Sequence, residues 1–151
     1  MMNSGLPGPK PAQADAGFWS ACRQHQLCAR RCLACGSWHH PPIPMCPKCQ
    51  SSNLEWQALS GIALLFSWTR VHIAMHPAVA DAIPYGIAVV EFPSCDGVRI
   101  IARLDHASDS APAIGAECEL YWINAADGQP LPAFRTLVQS SGAPSVQPAS
   151  R

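Results

Sequence analysis

The second half of the chain carries the strongest hydrophobic pattern. Residues 62–75 form a long run rich in apolar and β-branched side chains, which is typical of a strand. Residues 85–92 contain IAVVEF, a near-continuous apolar run that predicts a strand with both faces buried. A turn at residues 93–97 joins this strand to the next segment.

Three further segments complete the pattern. Residues 98–104 and 117–123 alternate between apolar and polar side chains, and a short last strand is predicted near residues 133–138. Five strands within about 80 residues, joined without a long helix, predict a small closed barrel of the oligonucleotide/oligosaccharide-binding (OB) type over residues 59–138. The residues predicted to share inward faces are Val98, Ile100, Ala102, Leu104, Cys118, Leu120 and Trp122.

The two ends of the chain lack this periodicity. Residues 1–14 and 139–151 are rich in Pro, Gly, Ala and Ser and are predicted to be disordered tails. Asp15 can cap a short amphipathic helix over residues 15–26. Because the chain has no long partner helix, the apolar face of this helix is expected to cover the next module or another protein. The residues on that face are Phe18, Trp19 and Cys22.

Four of the eight cysteines have the spacing of a metal site. Cys32 and Cys35 form one pair separated by two residues, Cys46 and Cys49 form a second pair, and ten residues separate the two pairs. Each short turn can direct two thiolates at one ion, and the intervening loop brings the pairs together for tetrahedral coordination. We therefore predict a zinc ribbon over residues 27–58 with these four cysteines as ligands.

Other interpretations of the cysteines are open at this stage. Two redox-active pairs of thioredoxin type are disfavoured, because such a motif normally occurs once and within alternating strands and helices. Cys28 is an alternative ligand, and four thiolates also hold iron. His39 and His40 are interpreted as loop surface, because four thiolates fill the zinc sphere and leave no position for a catalytic water. Cys95, in the polar turn SCDG, is expected to be exposed and oxidisable.

Composition narrows the function classes. Lys+Arg 10 equals Asp+Glu 10, so the formal net charge is zero, and the chain has just two lysines. Non-specific affinity for nucleic acid comes mainly from excess positive charge, so this composition disfavours that class. No apolar run approaches the roughly 18 to 20 residues of a membrane helix, and no apolar leader is evident. A cytoplasmic protein is expected.

Short motifs occur in a fixed order from about residue 17 to residue 137. They are FW at 18–19, RC-x2-CG at 31–36, PP-x-P-x-CP-x-C at 41–49, LEW at 54–56, SG at 60–61, S-W-T-x-V-H at 67–72, IPYGIAVVE at 83–91 and LPAFR at 131–135. In this order they resemble the DUF35 family, whose members combine a zinc ribbon with an OB-fold and associate with acyl-CoA enzymes.

The resemblance implies a mainly β protein with an N-terminal helix, a rubredoxin-like zinc ribbon and a five-stranded OB-fold barrel. It implies a small non-catalytic subunit bound to a thiolase, a lipid-transfer-protein-type aldolase, an acyltransferase or an enoyl-CoA hydratase. Such subunits support the stability or activity of the partner, and some help to hold the CoA end of the substrate.

The chain departs from the family pattern at the metal turns. Gln50 replaces the usual glycine after the second turn, and a positive φ at that position costs about 1 kcal/mol or more without glycine. Ile43 stands where the family often has arginine, which weakens the case for an anion contact from that loop.

Arginine side chains are the candidates for a CoA contact. Coenzyme A carries several phosphate charges, which arginines can hold with paired hydrogen bonds. The alternative is that each arginine lies on the barrel surface or pairs with a neighbouring carboxylate. The residues predicted to contact CoA are Arg70, His72, Arg103 and Arg135.

The five tryptophans exceed what a core of this size needs, which indicates contact with a partner protein. No convincing nucleophile and base pair is found, so no catalytic residue is predicted. The alternative function is a nucleic-acid-binding module, since zinc ribbons and OB-folds both occur in that class. The residues predicted at a partner interface are Phe18, Trp19, Trp38 and Trp68.

Overall fold

A computed structural model of the chain describes residues 6–60, 62–106 and 111–137. The described part is mostly β-strand, with one α-helix near its start and short 3-10 helices at Pro77–Ala82 and Pro93–Cys95. The elements are α1 (Ala16–Arg23), β1 (Cys28–Cys32), β2 (Trp38–His39), β3 (Leu54–Ala58), β4 (Ala63–Val71), β5 (Tyr85–Phe92), β6 (Val98–Asp105), β7 (Glu117–Asn124) and β8 (Pro130–Thr136).

The first three strands form a small antiparallel sheet in the order β2-β1-β3. The two metal turns lie on either side of β2, one between β1 and β2 and the other between β2 and β3. The remaining five strands close into a barrel in the order β4-β5-β6-β8-β7, with β6 and β8 parallel and the other pairs antiparallel. The structure confirms the predicted fold class of helix, zinc ribbon and five-stranded OB-like barrel.

Close packing of β5 and β6 makes one glycine necessary. Gly86 lies opposite Leu104 in the barrel, and a Cβ atom at Gly86 would come within 2.7 Å of the Leu104 carbonyl oxygen. Backbone cannot move aside as a flexible side chain can, so a side chain at this position would push the two strands apart. The close approach lies at the end of the barrel where β5 begins.

The alternating segments have the faces that their pattern predicted. Val98, Ile100 and Leu104 are buried inside the barrel, as is Cys118 on β7. Leu120 and Trp122 are partly buried and pack against the same core. The strand β5 differs from its prediction: Ala88, Val90 and Phe92 are buried, but its opposite face is half-buried instead of fully covered. The sequence pattern therefore marks an outer surface with unusual apolar character.

Cys95 is fully buried, so the expectation of an exposed, oxidisable thiol is wrong. The turn that follows β5 is a 3-10 helix ended by Asp96, whose φ of 54° lies in the left-handed region. With this geometry the Cys95 side chain lies in the core, and its Sγ atom lies 3.7 Å from the carbonyl oxygen of Ser60. The polar composition of the turn does not indicate that the Cys95 side chain points into the core.

The helix α1 ends at Arg23, three residues before the predicted end at residue 26. Asp15 occupies the N-cap position, but its side chain makes no capping bond to the helix backbone. Its carboxylate accepts hydrogen bonds from the Ala12 amide at 2.7 Å and from the Trp19 indole at 3.1 Å. The Asp15 carboxylate thus links the helix to the segment that precedes it.

Residues 6–14 belong to the segment predicted as a tail, and the structure describes them. The carbonyl oxygen of Leu6 accepts a hydrogen bond of 2.7 Å from the Ala126 amide in the turn between β7 and β8. The predicted tail at residues 139–151 lies outside the described residues.

Polar contacts join the ribbon and the helix to the barrel. The Trp38 amide donates to Asp96 Oδ2 at 3.1 Å, and the buried Gln129 accepts a 2.9 Å hydrogen bond from Arg23 and donates to the Trp19 carbonyl oxygen at 3.3 Å. These contacts fix one end of the helix against the β7–β8 turn. Within the described ranges, no helix has the length and apolar character of a membrane span.

Candidate metal centre and ligand-binding pockets

The structure brings the four predicted cysteine ligands together. All four Sγ atoms lie within 4.8 Å of one another, with 3.5 Å between Cys32 and Cys49 and 3.6 Å between Cys35 and Cys46. Four sulfurs at the usual Zn–S distance of about 2.3 Å would stand about 3.8 Å apart at the corners of a tetrahedron. The donor set and its dimensions therefore fit a zinc ion held by four thiolates.

Two equivalent backbone turns position these sulfurs. The amide of Gly36 donates to the Cys32 carbonyl oxygen at 2.8 Å, and the amide of Gln50 donates to the Cys46 carbonyl oxygen at 2.8 Å. Gly36 has a φ of 76°, and Gln50 has a φ of 59°. The expected positive φ at Gln50 is present, so the second turn keeps its form at the cost of a strained non-glycine residue.

Ser37 supports the metal ligands, and the sequence analysis missed it. Its buried hydroxyl oxygen lies 3.1 Å from Cys35 Sγ, 3.3 Å from Cys46 Sγ and 2.9 Å from His39 Nε2. The hydroxyl has one proton to donate to a thiolate, so the His39 Nε2–H group is then the donor to Ser37. Hydrogen bonds of this kind orient metal ligands and disperse thiolate charge.

His39 and His40 are not loop surface, because both are half-buried. The His40 ring packs on Phe18 with a centroid separation of 5.6 Å, and burial lowers the pKa of its imidazole. Its Nδ1 atom is buried and has no hydrogen-bond partner among the described residues. Both histidines are therefore partly covered, and His40 also lines a surface cavity.

The other residues weighed at the metal site have packing roles. Cys28 lies outside the four-sulfur cluster and is buried, which raises the pKa of its thiol. Ile43 packs against the small apolar cluster formed by Cys32, Cys46 and Leu54. An isoleucine there provides apolar packing to the ribbon where an arginine would provide charge.

A polar pocket of about 300 Å³, the basic mouth, lies where β4 ends and β5 begins. It contains two residues predicted to contact CoA, Arg70 and Arg103, together with the aromatic rings of Trp68 and Tyr85. Arg103 lies 3.6 Å from Asp105 and 5.6 Å from the centre of the Tyr85 ring. Among the described residues, Arg70 makes no ion pair, hydrogen bond or ring contact. Arg70 is exposed and shares the pocket with two aromatic residues.

The structure does not bring the other two predicted CoA contacts into the basic mouth. Arg135 lies 3.5 Å from Glu119 and stacks on Tyr121 at 4.6 Å, so a carboxylate already accompanies its charge. His72 follows the end of β4 and is exposed. Neither residue lines the pocket.

An apolar cavity of about 730 Å³, the outer groove, runs along the outside of the barrel. Its floor is the outer face of β5 and β6, with Tyr85, Ile87, Val89 and Ile101. The opposite wall comes from the N-terminal helix and from the ribbon loop at residues 40–42. In OB-folds the corresponding face of the second and third barrel strands is the usual ligand-binding surface.

The aromatic residues predicted at a partner interface have different environments. Phe18 is buried in the core, against Trp19 in an edge-to-face contact, so its ring is not available to a partner. Trp19 lines the outer groove, Trp38 lies under the Arg31 guanidinium, and Trp68 packs on the barrel core. These three tryptophans are half-buried and keep part of their surface exposed.

Comparison with known proteins gives two matches to family models. Residues 19–55 match "ChsH2, rubredoxin-like zinc ribbon domain", and residues 56–122 match "ChsH2, C-terminal OB-fold domain". The matches meet within β3, the last strand of the ribbon sheet. Together with the sulfur geometry they confirm a structural zinc site.

Three individual proteins illustrate the similarity. The chain is 34% identical over 132 residues to a "Probable enoyl-CoA hydratase alpha subunit" of Thermomonospora curvata, covering 86% of this chain and 40% of that protein. It is 31% identical over 90 residues to a "DUF35 domain-containing scaffold protein" of Methanocaldococcus jannaschii, covering 59% of this chain and 62% of that protein. A solved structure named "Ltp2-ChsH2(DUF35) aldolase" is 31% identical with a TM-score of 0.76, covering 85% of this chain and 98% of that one. The chain thus spans less than two thirds of these two curated relatives and nearly all of the matched solved chain.

Replacement of a buried ligand should abolish zinc binding. We expect the purified protein to hold one zinc ion per chain and the Cys46→Ala variant to lose both the ion and the ordered ribbon, because structural zinc supplies part of the folding free energy. Elemental analysis and thermal unfolding measure both effects. Cys28→Ala and Cys118→Ala are the controls and should keep the ion. Zinc retained by Cys46→Ala, or lost from Cys28→Ala, would contradict this ligand assignment.

The Ser37 hydroxyl should strengthen zinc retention. We expect Ser37→Ala to lower zinc affinity about 10- to 100-fold, because two thiolates lose a hydrogen-bonding neighbour. Competition with a chromogenic chelator measures the affinity. Ser52→Ala, an exposed serine in the second metal loop, is the matched control and should behave like the unmodified protein. Equal chelator sensitivity of the two variants would show that Ser37 does not support the ligands.

Proposed function

Because the chain belongs to the DUF35 family of zinc-ribbon and OB-fold proteins, we propose that it is a non-catalytic accessory subunit of a CoA-dependent enzyme. The partner is a thiolase-like enzyme, such as a thiolase, a lipid-transfer-protein-type aldolase or an acyltransferase, or an enoyl-CoA hydratase subunit. The chain binds this partner and raises its stability or activity.

The observation that carries the proposal is the extent of one structural match. The chain covers 98% of a chain in the structure named "Ltp2-ChsH2(DUF35) aldolase" at a TM-score of 0.76. That name joins a DUF35 chain to an aldolase, and the archaeal relative is named a scaffold protein. The bacterial hydratase subunit is much longer, so its activity need not reside in the region shared with this chain.

The metal centre supports a structural role. Four thiolates complete the coordination of zinc and leave no position for a water or a substrate. The Ser37–His39 pair has the composition of a nucleophile and a base, but the hydroxyl oxygen contacts Cys35 and Cys46 within the metal centre. Its proximity to the thiolates favours ligand support over nucleophilic chemistry.

We propose that the basic mouth contacts the nucleotide end of a CoA thioester. Arg70 has no carboxylate partner among the described residues, and Trp68 and Tyr85 line the same pocket. Phosphate groups bind arginine through charge-assisted hydrogen bonds, and an adenine ring stacks on aromatic side chains. Of the arginines predicted from the sequence, Arg70 and Arg103 line this pocket, and Arg103 shares it with Asp105 at 3.6 Å. Arg135 lies outside the pocket, beside Glu119.

Exposed apolar side chains support contact with a protein partner. Ile73 and Met75, in the connection after β4, are 73% and 87% exposed. The two residues lie two positions apart in one connection, and apolar side chains exposed together are characteristic of surfaces that another protein covers. Trp19, Trp38 and Trp68 are retained as additional interface candidates.

Co-purification and turnover together test the accessory role. The tagged chain should recover, from lysate of its source, a thiolase-like or hydratase chain in stoichiometric amount, identified by mass spectrometry. The purified partner should then turn over its acyl-CoA faster, or unfold at a higher temperature, when the chain is added. Ile73→Asp should weaken the complex, whereas Ile114→Asp, which changes a similarly exposed isoleucine, should not. Equal turnover and equal unfolding temperature with and without the chain would refute the accessory role, and recovery of nucleic acid would favour the alternative module.

Removal of the free cation should weaken CoA binding. We expect Arg70→Gln to lower the affinity for CoA about tenfold or more, because a charged hydrogen bond contributes about 1.5–3 kcal/mol. Calorimetric titration of the full chain with CoA measures this loss. Arg135→Gln removes an arginine that already pairs with Glu119 and should cause a smaller change. Equal losses in the two variants, or none in either, would remove the basic mouth from the proposal.

A further inference from the structure

The four ligand cysteines differ in their access to solvent. Cys32 and Cys46, the first residue of each pair, are completely buried, whereas Cys35 and Cys49, the second residue of each pair, are exposed. A thiolate bound to zinc stays deprotonated at neutral pH, and the thiolate is the form of cysteine that reacts with oxidants. The metal centre therefore presents two reactive sulfurs to solvent.

The other four cysteines of the chain are protected from oxidants. All of them are buried, and burial raises the pKa of three of their thiols. Because oxidation follows thiolate character and exposure, a dilute oxidant should react at the metal centre before it reacts with these residues. The protected cysteines are Cys22, Cys28, Cys95 and Cys118.

Ser37 distinguishes the two exposed ligands. The backbone amides of Ser37 and Ser51 contact Cys35 and Cys49 respectively, but only Cys35 also has a hydroxyl group nearby, that of Ser37 at 3.1 Å. Among the described residues, the side chains around Cys49 Sγ are those of the other ligand cysteines. A hydrogen bond stabilises a thiolate and lowers its nucleophilicity, so Cys49 is the more reactive of the two.

Cys32 is placed to form a disulfide with Cys49. The two Sγ atoms belong to different metal turns and lie 3.5 Å apart. A disulfide bond is about 2.05 Å long, so the sulfurs must approach each other by about 1.5 Å. Cysteines that sense oxidants are typically accessible and lie next to a second cysteine that completes the disulfide. Cys49 and Cys32 combine these two properties.

We propose that the metal centre is also a peroxide-sensitive modification site, in which Cys49 is oxidised to a disulfide with Cys32. The Cys49 thiolate attacks one oxygen of hydrogen peroxide, the O–O bond breaks, and a sulfenic acid and a hydroxide ion form. The Cys32 thiolate then attacks the Cys49 sulfur and expels a second hydroxide ion. The two thiolates lose two electrons in total, which reduce one hydrogen peroxide molecule to two hydroxide ions.

This oxidation removes half of the zinc ligands. Cys35 and Cys46 remain as thiolates, both close to the Ser37 hydroxyl. Because metal coordination supplies part of the folding free energy of the ribbon, loss of two ligands weakens both zinc retention and the order of the ribbon. A thiol reductant reverses the change, since it cleaves the disulfide and is itself oxidised to one. The inference is independent of the partner and the ligand proposed above.

The first test oxidises the zinc-loaded full chain with hydrogen peroxide. We expect a chromogenic chelator to detect release of the bound zinc, and mass spectrometry to find a Cys32–Cys49 disulfide with the four protected cysteines still reduced. Trypsin cleaves after Lys48 and separates Cys32 from Cys49, and chymotrypsin cleaves after Trp38 and separates Cys32 from Cys46. Dithiothreitol and added zinc should restore the loaded protein.

Two matched variants test the choice of Cys49. Cys49→His and Cys35→His each replace an exposed thiolate with a nitrogen ligand that zinc accepts, and elemental analysis confirms loading before oxidation. We expect Cys49→His to slow peroxide-driven zinc release about tenfold or more and Cys35→His to change it less than about twofold. The disulfide map of the unmodified chain tests the same assignment if a variant does not load.

The outcomes that would overturn the inference are distinct. A disulfide within one metal turn, or one between Cys35 and Cys46, would overturn the pairing of Cys49 with Cys32. Equal rates of zinc release from the two variants, or oxidation to sulfinic acid without a disulfide, would overturn the role of Cys49. Retention of zinc at peroxide concentrations that oxidise the buried Cys118 would overturn the modification site as a whole.

Discussion

The convergence of four thiolates on one metal ion is the constraint on which the ribbon depends. Apart from the cysteines themselves, the apolar cluster of the metal turns consists of Leu54 with Ile43 at its edge. So small a core cannot offset the conformational entropy of more than thirty residues, and metal coordination supplies the missing free energy. The strand β1 connects the metal site to the barrel, because Leu27 and Ala29 near its start belong to the core shared with the barrel. The metal thereby fixes a module whose other end is part of the main fold.

Most of the fold could be predicted because its signals are local. The spacing within Cys32–Cys35 and Cys46–Cys49 determines which sulfurs can reach one ion, and a positive φ at Gln50 follows from the shape of the turn. Alternation along β6 identifies its inward face, since successive side chains of a strand point to opposite sides. These properties depend on neighbours within a few residues, so a single sequence contains them.

The details that escaped prediction depend on residues far apart in the chain. The direction of Cys95 is set by packing against Ser60, thirty-five positions away. The charge of Arg135 is compensated by Glu119 on the adjacent strand, whereas Arg70 has no such neighbour among the described residues. The sequence alone does not distinguish the two arginines. The contacts of the Ser37 hydroxyl require the folded turns, because its neighbours come from both halves of the metal loop. Whether a side chain is free to bind a ligand therefore depends on strand register and loop conformation, which decide the residues that lie next to it.

The loop between the two cysteine pairs forms a wall of the outer groove, which couples the metal to any molecule held there. Zinc fixes the ends of this loop, and His40 and Pro41 at its centre face the cavity. A ligand that requires this wall in place must, by thermodynamic linkage, tighten zinc retention by the same factor by which zinc tightens the ligand. The ribbon would then do more than support the fold, because the affinity for such a ligand would depend on the metal. Removal of zinc would weaken the binding of any ligand that contacts this wall.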